Sequence, residues 1–148
     1  MSPNELGSSA DDPVGPIEFR DSPALDDAAL QTLYRSSREG YPELSWRPVL
    51  ERSLGWIAAF HHHTLIGFVN VAWDGRLHAF LMDPVVLPRN RRRGVGTELV
   101  RRAARLAQRR GCHWLHVDYE PQHDGFYRDA CGFVPTAAGL LNLLTSRL

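Results

Sequence analysis

The chain contains no lysine: all 17 of its basic residues are arginine. That absence excludes a Walker-type nucleotide loop, whose lysine reaches the phosphates from G-x-x-x-x-G-K-[ST]. Cysteine is scarce as well. Cys112 and Cys131 are the only two, too few for a disulfide framework. They read as small apolar residues in a reducing compartment, the cytoplasm. No apolar run approaches the roughly 20 residues that a membrane span needs. The start of the chain, MSPNELGSSADDPVGP, lacks a basic head and an apolar core, so it does not read as a secretory signal. Rich in Ser, Pro, Gly and Asp, residues 1–16 are expected to form a disordered tail. Formal net charge is zero, which argues against generic nucleic-acid binding by the whole chain. There is no internal repeat.

What is present suits one domain over residues 17–148: 43% of the 148 residues are hydrophobic and 23% charged, enough for a proper core and too little chain for two. Ile17–Arg20 reads as a first strand. Ser22 and Pro23 suit a helix cap and first turn, followed by a stripe of Leu25, Ala28, Ala29 and Leu33. Ser45 and Pro48 suit the start of a second helix over 47–54. Trp56–Phe60, Leu65–Trp73 and Leu77–Leu87 read as an antiparallel meander, with a turn over 61–64 and Asp74-Gly75 as a hairpin signal. Cys112–Tyr119 reads as a strand, Gln122–Cys131 as a short helix stopped by Gly132, and Phe133 onwards and Leu140–Leu144 as the last strands.

The chemistry concentrates in Val85–Arg110, VVLPRNRRRGVGTELVRRAARLAQRR. An apolar strand end stops at Pro88, and a helix opens at Gly94-Val95-Gly96. Val95, Leu99, Ala103, Leu106 and Ala107 make its core stripe, and Gly111 its C-cap. A helix start offers unpaired N–H groups and a positive dipole end, and glycines let a ligand approach the backbone. Such a loop suits phosphate oxygens. A dinucleotide fingerprint would need a glycine where Leu99 stands. The pattern that fits is R-x-x-G-x-G, at Arg91-Arg92-Arg93-Gly94-Val95-Gly96.

This loop, between a strand ending V-x-P and a long amphipathic helix, resembles the acyl-CoA pyrophosphate loop of the GNAT superfamily of N-acyltransferases. The element order β-α-α-β-β-β-α-β-α-β-β over 17–148 is similar to that fold too. So is FYRDACGF, Phe126–Phe133, where Tyr127 stands at the family's general-acid tyrosine. One spacing departs: Tyr127 lies five residues before Gly132 where the family more commonly has four, a shift worth about 100° on an α-helix. The resemblance implies an α+β fold, a central mixed but mostly antiparallel sheet flanked by helices and splayed between its fourth and fifth strands. Asp83-Pro84 suits a bulge beside the splay. Acetyl-CoA is the implied cosubstrate. Its pantetheine arm would pair with Val85, Val86 and Leu87 like an added strand, and its diphosphate would sit among Arg91, Arg92, Arg93, Gly94, Val95, Gly96 and Thr97.

Acetyl transfer to an amine needs a base, an oxyanion donor and an acid for the thiolate. The Val86 N–H is the candidate donor and Tyr127 the candidate acid. Asp83, Glu120, His78 and His116 are candidate bases. Alternation splits His61-His62-His63 and the stretch reads as a turn, and His113, His116 and His123 lack a ligand spacing, so no metal is expected. The implied acceptor is a primary amine of a small molecule or peptide, with no nucleic acid or membrane partner; a homodimer is the default by analogy with the fold. Two rivals stand beside this reading. One is a CoA-binding module without catalysis; the other is nucleic-acid binding through Arg89–Arg110, against which a solvated helix face weighs.

Overall fold

The computed structural model describes residues 15–147. The tail expected over 1–16 therefore lies outside the described residues except for Gly15 and Pro16. The chain divides into two compact units, one ending at His116 and the other beginning at Val117.

The first unit is a five-stranded sheet in the order β1-β2-β3-β4-β5. Its strands are β1 (Ile17–Asp21), β2 (Gly55–His61), β3 (Thr64–Trp73), β4 (His78–Val86) and β5 (Trp114–His116). The first four are antiparallel neighbours, and β5 runs parallel to β4. The parallel pair requires a crossover, supplied by α3 (Val95–Arg109). His62 and His63 take positive φ in the tight β2–β3 turn. The Asp74 carboxylate closes the β3–β4 hairpin by accepting from the N–H groups of Arg76 and His78. Those bonds hold Asp74 below the usual carboxylate range.

Each face of the sheet buries a helical layer. Val95, Leu99, Val100, Ala103 and Ala107 of α3 are buried, and Leu106 is half-buried. The approach at β3 is tight: a Cβ on Gly67 would lie 3.1 Å from Leu99 and 3.3 Å from Val95, so glycine lets helix and strand touch. On the opposite face α1 (Asp27–Ser37) and α2 (Arg47–Arg52) pack an aromatic cluster. Leu30, Leu33, Tyr34 and Trp46 meet Ala58, Leu65, Phe68 and Val85. Tyr34 stacks between Trp46 and Tyr41, at 4.7 and 4.9 Å between ring centres. Each such large side chain contributes about 1.5–3 kcal/mol of burial.

Several local expectations are corrected. Ser22 does not cap α1: its Oγ accepts from the Trp56 N–H, and Asp26 is the cap, accepting from Ala29 N at 2.7 Å. Ser45 donates to the Asp27 carboxylate at 2.7 Å instead of capping α2, which ends at Arg52. In both places a tertiary partner outcompetes the local N–H. The strand expected over 112–119 is only Trp114–His116.

The second unit is mostly irregular. A 3₁₀ turn, Pro121–His123, precedes a π-helical turn, Phe126–Ala130, so the single helix expected over 122–131 is replaced by two tighter and wider turns. No strand forms over 133–147, against expectation. Leu140, Leu141, Leu143 and Leu144 are exposed there. Apolar composition suits a pleated surface only when neighbouring strands supply one. Among the described residues no helix is long and apolar enough to cross a membrane.

Candidate active site

The site is built where β4 loses its partner. The β4–β5 register runs His78↔Trp114, Ala79↔Leu115 and Phe80↔His116, and stops there. From Leu81 to Val86, β4 is paired with β3 alone among the described strands. This is the splay expected between the fourth and fifth strands. Within it the β3–β4 register slips by one residue, Phe68↔Val85 followed by Asn70↔Met82. Asp83 and Pro84 form the bulge, with Asp83 at φ 51°.

Helix α1 clamps that bulge. The buried Tyr34 hydroxyl donates to the Asp83 carbonyl, and Arg38 Nη2 donates to the Pro84 carbonyl at 3.5 Å. Burial, then the nearby Asp83 charge, raises the Tyr34 hydroxyl well above its ordinary range, so it stays protonated and donating. The Asp83 carboxylate lies 3.8 Å from Arg38. Neither tie was visible in the sequence, where nothing links residues 49 and 46 apart.

Past the bulge, Leu87 N–H donates to Ile66 O at 2.7 Å. That bond makes Gly67↔Val86 a non-hydrogen-bonded pair, so Val86's own N–H and C=O point away from β3. Its carbonyl accepts from Arg91 Nε at 3.1 Å. Pro88–Asn90 forms a 3₁₀ turn. Arg92 and Gly94 then take positive φ, at 59° and 76°, and swing the chain into α3.

The start of α3 is open. Gly94 is its N-cap, and among the described residues no side chain bonds there. Arg91, Arg92 and Arg93 are exposed around it, and Arg93 Nη2 reaches the Gly15 carbonyl at 3.3 Å. Glu98 in the first turn is drawn along the helix, accepting from Arg101 at 2.5–2.7 Å and Arg102 at 2.7 Å. Burial alone would raise its carboxyl; the two arginines outweigh that and hold it below the usual range. Among the described residues the result is a set of main-chain N–H groups without side-chain partners at a positive dipole end, chemistry that suits phosphate oxygens.

Asp83, Val85–Leu87 and Arg91–Thr97 are thus consecutive along one edge of the first unit. Tyr127 and Glu120 belong to the second unit. Glu120 is exposed ahead of the 3₁₀ turn. Tyr127 is buried, stacked on Tyr119 at 4.6 Å with Phe126 and Phe133 at its edges. The Cys131 N–H donates to Phe126 O five residues back. That π-turn holds one residue more than an α-turn, which accommodates the five-residue spacing of Tyr127 to Gly132. Among the described residues no group of three His, Cys, Asp or Glu side chains could hold a metal.

A family model described as the acetyltransferase (GNAT) family matches residues 22–133. No curated protein sequence matches the chain. Among solved structures, a GNAT-family acetyltransferase of Streptococcus pneumoniae TIGR4 superposes with a TM-score of 0.72 at 22% identity, over 86% of this chain and 99% of that one. The enzyme AAC(6')-Iy, in complex with the bisubstrate analogue CoA-S-monomethyl-acetylneamine, superposes at 0.69 with 20% identity, over 90% and 100%. Glucosamine-6-phosphate N-acetyltransferase of Arabidopsis thaliana superposes at 0.68 with 14% identity, over 86% and 98%.

Proposed function

The chain belongs to the GNAT acetyltransferase family, and from that premise we propose that it transfers the acetyl group of acetyl-CoA directly to a primary amine of a small molecule or peptide. The observation that carries the reading is the uncapped start of α3 directly after the splayed edge of β4. An anionic diphosphate is stabilised by the N–H groups of Gly94–Thr97 and by the surrounding arginines. The amide-rich pantetheine arm extends along Val85, Val86 and Leu87 as an added strand. This directs the thioester along β4 towards the apex of the splay.

The acceptor amine must be neutral to attack. Its lone pair forms the C–N bond, the oxyanion is met by the Val86 N–H, and the C–S bond then breaks. Tyr127 is assigned the donation of a proton to the leaving thiolate, on the family resemblance of its segment. Asp83 and Glu120 are the carboxylates assigned to the amine side. The reaction takes place in the reducing cytoplasm, consistent with two free thiols.

A thermal-shift titration with acetyl-CoA followed by a thiol-release assay over an amine panel tests this. Binding to the native state raises the apparent melting temperature, so a concentration-dependent rise is expected, together with thiol release on adding an amine. No rise and no release would end the proposal.

A further inference from the structure

The bulge in β4 decides where a main-chain donor points. Asp74 N–H donates to the His78 carbonyl at 3.0 Å, so these two residues face each other as a hydrogen-bonded pair. Such pairs alternate with non-hydrogen-bonded ones along an antiparallel ladder. The register Trp73↔Ala79, Ala72↔Phe80, Val71↔Leu81, Asn70↔Met82 therefore makes the last of these a hydrogen-bonded pair. Run on without interruption, the same ladder would bring Val86 opposite Ile66 in another hydrogen-bonded pair and spend its N–H on β3. The slip brings Val86 opposite Gly67 instead. There Leu87 N–H makes the ladder bond, to Ile66 O, and the Val86 N–H is turned to the open edge. The slip also puts Val85 opposite Phe68, in the aromatic cluster.

Two features favour the slip. In the unbroken ladder Pro84 would stand opposite Phe68 at a hydrogen-bonded position, with no N–H to give. The second is Tyr34. Asp83 takes a positive φ, a conformation that residues with a Cβ seldom adopt, and its carbonyl accepts from the Tyr34 hydroxyl. The Tyr34 ring is fully buried and stacked between Trp46 and Tyr41, so the core fixes where the hydroxyl stands. Arg38, one turn further along α1, lies over that ring at 5.5 Å and adds a longer bond to the Pro84 carbonyl.

We infer that Tyr34 is a positioning residue of acetyl transfer: by holding the Asp83 carbonyl, its hydroxyl keeps the Val86 N–H turned away from β3, where the oxyanion can meet it. The inference rests on the transferase reading above. Tyr34 acts through the main chain of β4 and gives up no proton. Burial, with Asp83, Arg38 and Tyr41 as the charged and titratable neighbours, keeps its hydroxyl protonated well past the ordinary range. A rigid, preorganised donor stabilises an oxyanion better than one that must first be turned into place.

Tyr34→Phe tests this, because it keeps the stacked rings and removes only the donor. It should lower kcat about tenfold or more, part of what a lost oxyanion donor costs. Acetyl-CoA affinity should be kept, since the start of α3 is untouched. The kcat–pH profile should keep its shape, and hydrogen exchange at the Leu87 N–H should quicken as the ladder past the bulge loosens. Trp46→Phe is the control: it thins the same stack but leaves the hydroxyl, so it should lower the melting temperature and keep kcat. Should Tyr34→Phe fail to fold, Pro84→Ala tests the same link by restoring the N–H that lets the ladder run on; it should lower kcat with the acetyl-CoA thermal shift kept.

Unchanged kcat or unchanged Leu87 exchange in Tyr34→Phe overturns this inference alone. So does a limb lost from its pH profile, an equal loss of kcat in Trp46→Phe, or unchanged kcat in Pro84→Ala. Absence of the acetyl-CoA shift and of thiol release in the unaltered protein overturns the transferase reading and this inference with it.

Discussion

Helices α1 and α3 begin in opposite ways. At the start of α1, Asp26 accepts from the Ala29 N–H, and the Asp27 carboxylate accepts from the Ser45 hydroxyl and the Trp46 N–H. The chain itself caps that terminus, through Asp26. At the start of α3, Gly94 supplies no side chain, and the one acid of the first turn, Glu98, is held by Arg101 and Arg102 along the helix. The same physical object, a set of unpaired N–H groups at a positive dipole end, is closed in one helix and left open in the other. A closed terminus is part of the scaffold, whereas an open one between exposed arginines suits an anion.

The comparison breaks most strongly if α3 is made to resemble α1. Gly94→Asp places a carboxylate at the open cap, where a Cβ would meet nothing within 4 Å. Acetyl-CoA affinity should fall at least about a hundredfold, about 2.7 kcal/mol, because the new charge occupies the N–H groups and repels the diphosphate. The strain of a positive φ, about 1–2 kcal/mol, is partly offset by the favourable charge at the helix start, so the fold should survive. Titration calorimetry reads this directly, and an unchanged affinity would mean the diphosphate binds elsewhere.

The converse change is smaller. Asp26→Ala opens α1, costing about 1 kcal/mol and lowering the melting temperature by about 3 °C. No anion should be gained there, and acetyl-CoA affinity should stay the same. A variant that melts normally, or that loses acetyl-CoA binding, would show that the two helix starts are not independent.

The smallest effect is in the acid limb. Glu98 is held below its ordinary range in the folded protein, so it adds stability above the unfolded carboxylate value, near about 4.3. That share is lost as pH falls through the lowered folded value. Glu98→Gln should therefore melt slightly lower near neutrality and lose less on acidification. Melting curves of both proteins between neutral and acidic pH check it; parallel curves would show that the arginines do not hold the carboxylate.

The strands β2 to β4, α3 and its loop were legible because their signals are local. The i, i+3, i+4 spacing of Val95, Leu99 and Ala103 and the paired glycines need no partner to be read. The bulge at Asp83-Pro84 was legible for the same reason, since proline removes a ladder donor. Ser22 and Ser45 misled because each hydroxyl found a distant partner, Trp56 or Asp27. The strands expected after Phe133 did not form, because a leucine-rich run becomes a strand only beside another strand. The π-turn around Tyr127 was visible only as a spacing one residue too long.

By itself the sequence determined the arginine- and glycine-rich loop, the helix behind it and the order of most elements, because backbone sterics and side-chain periodicity act over a few residues. Tertiary structure alone decided which residues face one another at the apex of the splay. Tyr34 reaches Asp83 and His78 reaches His116 across 49 and 38 positions. Such meetings depend on strand register and on which face each strand buries, and those are set by packing of the whole sheet rather than by any stretch of it.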